Sequence, residues 1–301
     1  METHTTLNLI DLHCHTTASD GSLSPIQLYE RAHEHNITAL AITDHDSVAG
    51  YEFLNAVNDL PAGPKLISGI ELSTAWSGIE IHIVSLNFSL NNPDFKTIIQ
   101  EQGRSRRQRA LYIAERLAHK LNAYSAETLF NEVLAEAISV QQRPGSGFSL
   151  ANTDIQVGRP HFANWLVNQG IVSNQQSAFK KYLGNNKLGD LKRFWPSMAQ
   201  GVARMRALGA VPVLAHPMKY GMTRVKLQAL INDFKLAGGQ ALEVVGCNVS
   251  NSQVQQLAGF CEDFDLKASQ GSDFHSPNNP WVELGRFPPL PKQLTPVWDD
   301  W

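Results

Sequence analysis

The chemistry-bearing side chains of this chain come in short clusters far apart in sequence. They are His13-x-His15 followed by Asp20, then Asp44-His45-Asp46, Glu71, His82 and Asp273-x-His275. Two more histidines, His161 and His216, stand in G-R-P-H and A-H-P contexts. Imidazole and carboxylate in this mixture suit Mn²⁺, Fe²⁺ or Zn²⁺. Such ions activate water and neutralise phosphate oxygens, so the expected chemistry is metal-assisted hydrolysis of a phosphate ester.

Each cluster has a plainer reading when taken alone. His13 and His15 are two apart on or just past a strand, so their rings share a face while Cys14 points away; a lone H-x-H is as often a satisfied, half-buried pair. Asp20 lies in T-T-A-S-D-G, where D-G ordinarily marks a turn. Asp44, His45 and Asp46 end the apolar run T-A-L-A-I-T, where chargeable groups need partners, although Asp46 also suits a helix N-cap. Glu71 ends the run K-L-I-S-G-I, and a carboxylate bridging two ions accounts for it. His82 sits in I-E-I-H-I-V-S-L with Ile79, Ile81 and Ile83 on the other face; a core histidine bonded to a carbonyl is its competing reading. Asp273 and His275 follow K-A-S-Q-G, where Gly271 admits a close approach. Arg159, just before His161 at a helix start, either grips a phosphate oxygen or makes a surface salt bridge.

These residues require a frame that brings strand ends together. Residues 7–12, 38–43, 65–70 and 79–86 read as strands, with helices at 24–36 and 47–60; Ser24 and Pro25 supply an N-cap and a first helical residue. The pattern turns helical over 95–140, with a break near 121–125, and again over 161–183. Strand and helix then alternate: helices at 197–208, 223–237 and 251–264, strands at 210–215, 240–245 and 266–270. Alternation with crossovers predicts a parallel sheet or barrel, with ligands outside the carboxyl ends of the strands. The expected division is 8–95 and 196–301 as two parts of one α/β unit, with 96–195 a mostly helical insertion. From Pro288 onward the chain is expected to pack as an extended segment.

Bulk properties exclude several classes. The 301 residues carry a formal net charge of -3, so no broad polyanion-binding face is expected and any nucleic-acid contact is local. Cys14, Cys247 and Cys261 have no zinc-finger spacing, which fits a reducing compartment. The N-terminus lacks a signal-peptide pattern, and no run reaches the roughly 18 apolar residues of a membrane span, so a cytoplasmic location is expected. Arg104, Arg106, Arg107 and Arg109 read first as a solvated helix face, although Arg106 and Arg109 could share a face toward RNA.

The motifs D-L-H-C-H-T-T-A-S-D-G, I-T-D-H-D, G-I-E-L-S, E-I-H-I-V, A-H-P and G-S-D-F-H together resemble the PHP (polymerase and histidinol phosphatase) family of metal-dependent phosphoesterases. The resemblance implies a distorted (β/α)₇ TIM-like barrel with three divalent cations, Mn²⁺ foremost and Fe²⁺ or Zn²⁺ as alternatives. It implies His13, His15, Glu71 and Asp273 on one ion. Glu71 would bridge to a second, which also takes His82 and His161, and Asp20, His45 and His275 would hold the third. His216 and Arg159 would lie at the substrate phosphate, with His216 or Asp46 passing a proton to the leaving group. The motifs R-R-x-Q-R-A, R-P-H-F-A and F-K-K-Y-L are most similar to the branch with a helical insertion. That branch contains a nucleoside-3′,5′-bisphosphate phosphatase and a 5′-3′ exoribonuclease acting on ribosomal and short RNAs. The segment G-N-N-K-L-G-D-L-K-R-F-W-P after F-K-K-Y-L departs from the branch pattern, at a place expected to border the substrate.

The resulting expectation is a 5′-3′ exoribonuclease acting on single-stranded RNA 5′ ends, releasing 5′-mononucleotides and also cleaving the 3′-phosphate of nucleoside bisphosphates. A small-molecule phosphatase without polymer activity is the rival that net acidity favours. A non-catalytic metal scaffold and an amidohydrolase-type C–N or C–O hydrolase are the other classes; the latter usually needs a strand-end lysine, and Lys219 is the nearest miss.

Overall fold

The computed structural model describes residues 9–122, 124–143, 145–151, 154–184, 187 and 192–301. Much of the departing segment, residues 185, 186 and 188–191, therefore lies outside the described residues. The first sheet is parallel, in the order β1 (Leu9–Cys14), β2 (Ile37–Ile42), β3 (Lys65–Ile67). The crossovers carry α1 (Pro25–Glu34) and α2 (Ala49–Ala56). Helix α1 begins as its sequence dictates: the Ser24 hydroxyl accepts from the Gln27 N–H, the Gln27 side chain accepts from the Ser24 N–H, and Pro25 is its first residue.

The expected closed barrel is not formed. The run read as one strand over 65–70 is interrupted at Ser68, and β4 (Gly69–Trp76) leads straight into β5 (Ile79–Leu86) as an antiparallel hairpin. Its two-residue turn, Ser77-Gly78, has φ of 45° and 74°, the left-handed pair that a tight hairpin demands. With no helix between them, β5 runs backward and pairs antiparallel with β6 (Val211–Leu214) as well. Parallel order resumes from β6 to β7 (Ala241–Gly246) and β8 (Lys267–Gly271). The strands thus fall into a three-stranded and a five-stranded sheet, linked by isolated bridges at His45–Glu71 and Cys14–Phe274.

Side chains occupy the seam where β1 and β8 would have to pair. Asp11 accepts from the Ser272 N–H at 2.9 Å, and the Gln270 amide donates to the Ile10 carbonyl at 2.8 Å. A carboxylate and an amide stand where a continuous backbone ladder would run, and beyond them the Asp273 N–H donates to the His13 carbonyl at 2.8 Å and the His15 N–H to the Phe274 carbonyl at 2.9 Å.

Helices α7 (Met198–Ala207), α8 (Arg224–Leu236) and α9 (Asn251–Phe264) cover one face of the larger sheet. Ile81, Ile83, Leu214, Leu242 and Val244 meet Val202, Leu230, Phe234, Leu257 and Phe260 there. Full burial of each such side chain stabilises by about 1.5–3 kcal/mol. Between β5 and α7 the chain forms α3 (Pro93–Leu121), α4 (Ala126–Gln141), α5 (Arg159–Asn168) and α6 (Gln175–Ala178), which runs into a π-turn at Phe179–Leu183. These helices have their own apolar cluster around Ile113, Leu117, Phe130, Val133, Phe162 and Trp165. The C-terminal tail lies along β8, with the Val297 N–H donating to the Ala268 carbonyl at 2.8 Å. Among the described residues, no helix is long and apolar enough to cross a membrane.

Candidate metal centre

Period-two alternation delivers the first ligands. His13, in β1, and His15, just beyond it, face one way, while Cys14 turns aside and its thiol donates to the Ala41 carbonyl at 3.2 Å. In the hairpin, Glu71 pairs with Val84 and Ser73 with His82, so Glu71 and His82 project from the same face; Ile81 and Ile83 point into the core behind. Loops after β2, β6 and β8 bring His45, His216, Asp273 and His275 to the same place.

Glu71, fully buried, is the hub. Its Oε2 lies 3.3 Å from His13 Nε2, 3.3 Å from His15 Nε2 and 3.0 Å from His45 Nδ1. Its Oε1 lies 3.0 Å from both His82 Nδ1 and His216 Nε2. Asp273 Oδ1 is 3.2 Å from His15 Nε2 and 3.5 Å from His13 Nε2. Asp20 stands 3.4 Å from His275 Nε2 and 3.7 Å from His45 Nε2. Four ligand groups have donor atoms within 4.8 Å of one another: His15 with Asp20, His45 and His275; His13 with Glu71 and His216; His13 with His15 and Asp273; and His45 with Glu71 and His82.

The donor set fits divalent cations. His13 Nε2, both nitrogens of His15, His45 Nδ1, His82 Nδ1, His216 Nδ1 and Glu71 Oε2 are buried with no aligned hydrogen-bond partner among the described residues. Leaving so many polar atoms unsatisfied costs several kcal/mol, a cost that cations bound among them would largely remove. Electrostatics agree. Burial alone would raise the carboxyls of Glu71, Asp20 and Asp273, but neighbouring imidazoles, and Lys219 beside Asp273, hold all three well below the usual range. Burial alone would lower the pKa of His13, His15, His45, His82 and His216. At His15 the Asp273 and Glu71 carboxylates outweigh it and raise the value to about 10, and at His82 Glu71 and Glu80 raise it to about 9. At His45 and His216 burial prevails and the rings stay neutral, ready to ligate.

A supporting layer orients these groups. Glu243 Oε2 lies 2.6 Å from His13 Nδ1, which fixes the ring so that Nε2 faces the centre. This glutamate, absent from the expected site, sits inside the otherwise apolar strand A-L-E-V-V-G, where a carboxylate needs a partner just as Glu71 does. Asp44 accepts from the Thr16 N–H, the Thr16 hydroxyl and the Ser19 hydroxyl, each at 2.7 Å, and so shapes the turn that carries Asp20. The Tyr220 hydroxyl accepts from the His82 N–H at 3.0 Å. A Cβ on Gly271 would stand 2.3 Å from His13 Cβ, so only glycine lets β8 approach this closely. Asp46, His216 and Asp273 all have left-handed φ, at 53°, 32° and 53°, a strain that non-glycine residues carry mostly at functional sites.

Three expected site residues are placed differently from the rest. Asp46 faces away from the imidazoles: its carboxylate accepts from Ser73 N–H and the Gln102 amide at 2.7 Å, and from Arg106 at 2.8 and 2.5 Å. His161 falls in none of the four ligand groups; its Nδ1 accepts from the Gly158 N–H at 3.0 Å and caps the start of α5. His216 does fall in one, against Glu71. Arg106 and Arg109 are buried rather than solvated. Arg109 and Arg159 each lie 3.1 Å from Glu80 Oε2, and with Arg106 they wall a cleft of about 130 Å³ that opens on Asp20, His45 and His82.

The PHP domain model matches residues 11–141. A 5′-3′ exoribonuclease of Haemophilus influenzae is 38% identical over 96% of this chain and 97% of its own length. The chain belongs to the PHP family. It is a metal-dependent phosphoesterase, and its centre is a cluster of histidine and carboxylate side chains able to coordinate metal. Among other PHP relatives, a 3′,5′-nucleoside bisphosphate phosphatase of Chromobacterium violaceum is 30% identical, covering 96% of this chain and 95% of the relative. A solved structure described as an amidohydrolase of Chromobacterium violaceum with bound sulfate and no metal superposes with a TM-score of 0.80. It is 29% identical, with 97% of this chain and 95% of that one covered.

Proposed function

We propose that this PHP protein is a 5′-3′ exoribonuclease that releases 5′-mononucleotides and also removes the 3′-phosphate of nucleoside 3′,5′-bisphosphates. The observation that carries this reading is the adjacency of the Glu71 hub to the arginine-walled cleft: a hydrolytic centre beside a second anion site. Both substrates present two phosphates, one on each side of a ribose. The relatives named for these two activities point the same way.

We assign three divalent cations, Mn²⁺ first, to His13, His15, Glu71 and Asp273; to Glu71, His82 and His161; and to Asp20, His45 and His275. His161 spends Nδ1 on the Gly158 N–H, which leaves its Nε2 for an ion, and His216, with Nε2 3.0 Å from Glu71 Oε1, is left to face the substrate phosphate. Bound there, cations would lower the pKa of water and neutralise the oxygens of the scissile phosphate. The protein's own side chains do the rest. Arg109 and Arg159 offer planar donors to the neighbouring phosphate, and Glu80 Oε2, 3.1 Å from each, holds the two guanidinium groups together. Asp46 keeps Arg106 and α3 in place, a positioning role in place of proton transfer.

The test is a substrate panel with Mn²⁺: oligoribonucleotides bearing 5′-phosphate or 5′-hydroxyl, and nucleoside bisphosphates. Stepwise shortening with 5′-mononucleotide products is expected. Activity confined to the bisphosphates would remove the exoribonuclease reading and leave the small-molecule phosphatase.

A further inference from the structure

We infer that the cleft between the candidate ligands and helices α4 to α6 holds the RNA chain beyond the scissile phosphate; this rests on the exoribonuclease reading. The two proposed substrates share one leaving group, a 5′-phosphorylated nucleoside departing through its 3′ oxygen. They differ in what remains on phosphorus. In a bisphosphate the other oxygens are free; in RNA one of them bears the next nucleoside. In each case water adds to phosphorus, the P–O3′ bond breaks and the 3′ oxygen leaves with a proton. The RNA products are a 5′-mononucleotide and a chain one residue shorter with a 5′-phosphate. Accepting RNA therefore demands a second space next to the centre.

That space is present. A cleft of about 650 Å³ opens off Asp20, His161 and His275, and α4, α5, α6 and the loop after His275 wall it. It shares Asp20, Pro160 and Phe179 with the arginine-walled cleft, so the two meet at one rim over the centre. Their sizes divide the work: about 130 Å³ admits a phosphate, whereas about 650 Å³ falls in the range of whole organic ligands.

The lining also differs in kind. Asn164, Asn168, Gln175 and Asn278 supply side-chain amides. The Asn168 amide donates to Glu136 at 3.1 Å and that of Gln175 donates to Asn164, which leaves each a further N–H and a carbonyl lone pair. Donors and acceptors on rotatable groups suit base edges and the 2′-hydroxyl without demanding one base. Phe179 offers an apolar wall. Arg143, which makes no ion pair among the described residues, is the cation placed to meet a following phosphate.

The experiment compares the parent with an Arg143→Ala/Asn168→Ala protein on a 5′-phosphorylated oligoribonucleotide and on a nucleoside 3′,5′-bisphosphate. Loss of a charged contact and an amide should raise KM for the oligoribonucleotide about tenfold. It should also flatten the salt dependence of oligoribonucleotide binding by about one phosphate contact, with bisphosphate hydrolysis unchanged. A second measurement uses an oligoribonucleotide with a non-hydrolysable first linkage and 4-thiouridine at its second position; crosslinks should fall on peptides of α4 to α6. Equal losses on both substrates, no loss on the oligoribonucleotide, or crosslinks elsewhere would overturn the inference with the exoribonuclease reading intact. A parent protein inactive on RNA would instead remove that reading, and the inference with it.

Discussion

Replacing Glu243 by glutamine tests whether the convergent imidazoles hold cations. The Glu243–His13 bond is short, at 2.6 Å, and both side chains are buried, at 6% and 1% exposure. Loss of such an outer partner ordinarily costs about 10–100-fold in metal affinity, or about 1.4–2.8 kcal/mol. His13 would still face Glu71 and Asp273 at 3.3 and 3.5 Å, so its ring would remain roughly oriented. The expected loss therefore lies near the lower end, about tenfold. Glutamine preserves shape and can still accept from Nδ1–H, which confines the change to charge. Metal-free protein would be titrated with Mn²⁺ against a chelator of known affinity, and ions per chain counted after dialysis. Saturating Mn²⁺ should restore turnover to within a few-fold. A variant that binds Mn²⁺ as tightly as the parent would refute the claim that Glu243 acts through a liganding His13.

Three further outcomes follow from the geometry. Arg106→Met strands the Asp46 carboxylate in a buried site and should lower unfolding free energy by about 3–5 kcal/mol in urea titrations; adding Asp46→Asn should recover part of it, and a purely additive double variant would contradict the pairing. His15 and His82, raised to about 10 and about 9, carry protons at neutral pH in the metal-free protein. Cations must displace those protons, so calorimetric Mn²⁺ affinity should climb from pH 7 to 9 and level off near 10. The same groups stabilise the metal-free fold fully below about pH 6.5, and that contribution should vanish as pH rises through 9 to 10. Burial pushes the Cys261 thiol up to about 12; it should resist iodoacetamide at pH 8 in the folded protein and react on unfolding, as mass spectrometry would reveal.

Local physics made most elements legible. Ser24-Pro25 marks α1, the alternating isoleucines mark β5, and A-V-P-V-L-A marks β6. The convergence of His13, Glu71, His82 and Asp273 was also readable, because polar groups ending buried strands must find partners. The hairpin was not. E-L-S-T-A-W lacks the apolar run of a buried strand, so the reversal at Ser77-Gly78 hid and a continuous barrel looked reasonable. Long-range pairing was invisible as well. Nothing beside Arg106 in sequence announces Asp46, 60 residues away, so a buried ion pair read as a solvated face. His161 and His216 were equally histidine-plus-proline signals, and only tertiary placement separates a helix cap from a neighbour of Glu71.

The seam between the first and last strands, held by the Asp273 N–H to His13 carbonyl and His15 N–H to Phe274 carbonyl bonds and by a few side chains, gives cations a mechanical task. Ile10 and Gln270, joined across it by one side-chain bond, are 260 positions apart. His13 and Asp273 flank that join from opposite ends of the polypeptide, so ions shared between them would act as a clasp. Loading would cinch the two ends together and raise the melting temperature in proportion to the logarithm of free metal. Chelation would let the C-terminal portion breathe and expose it first to proteases.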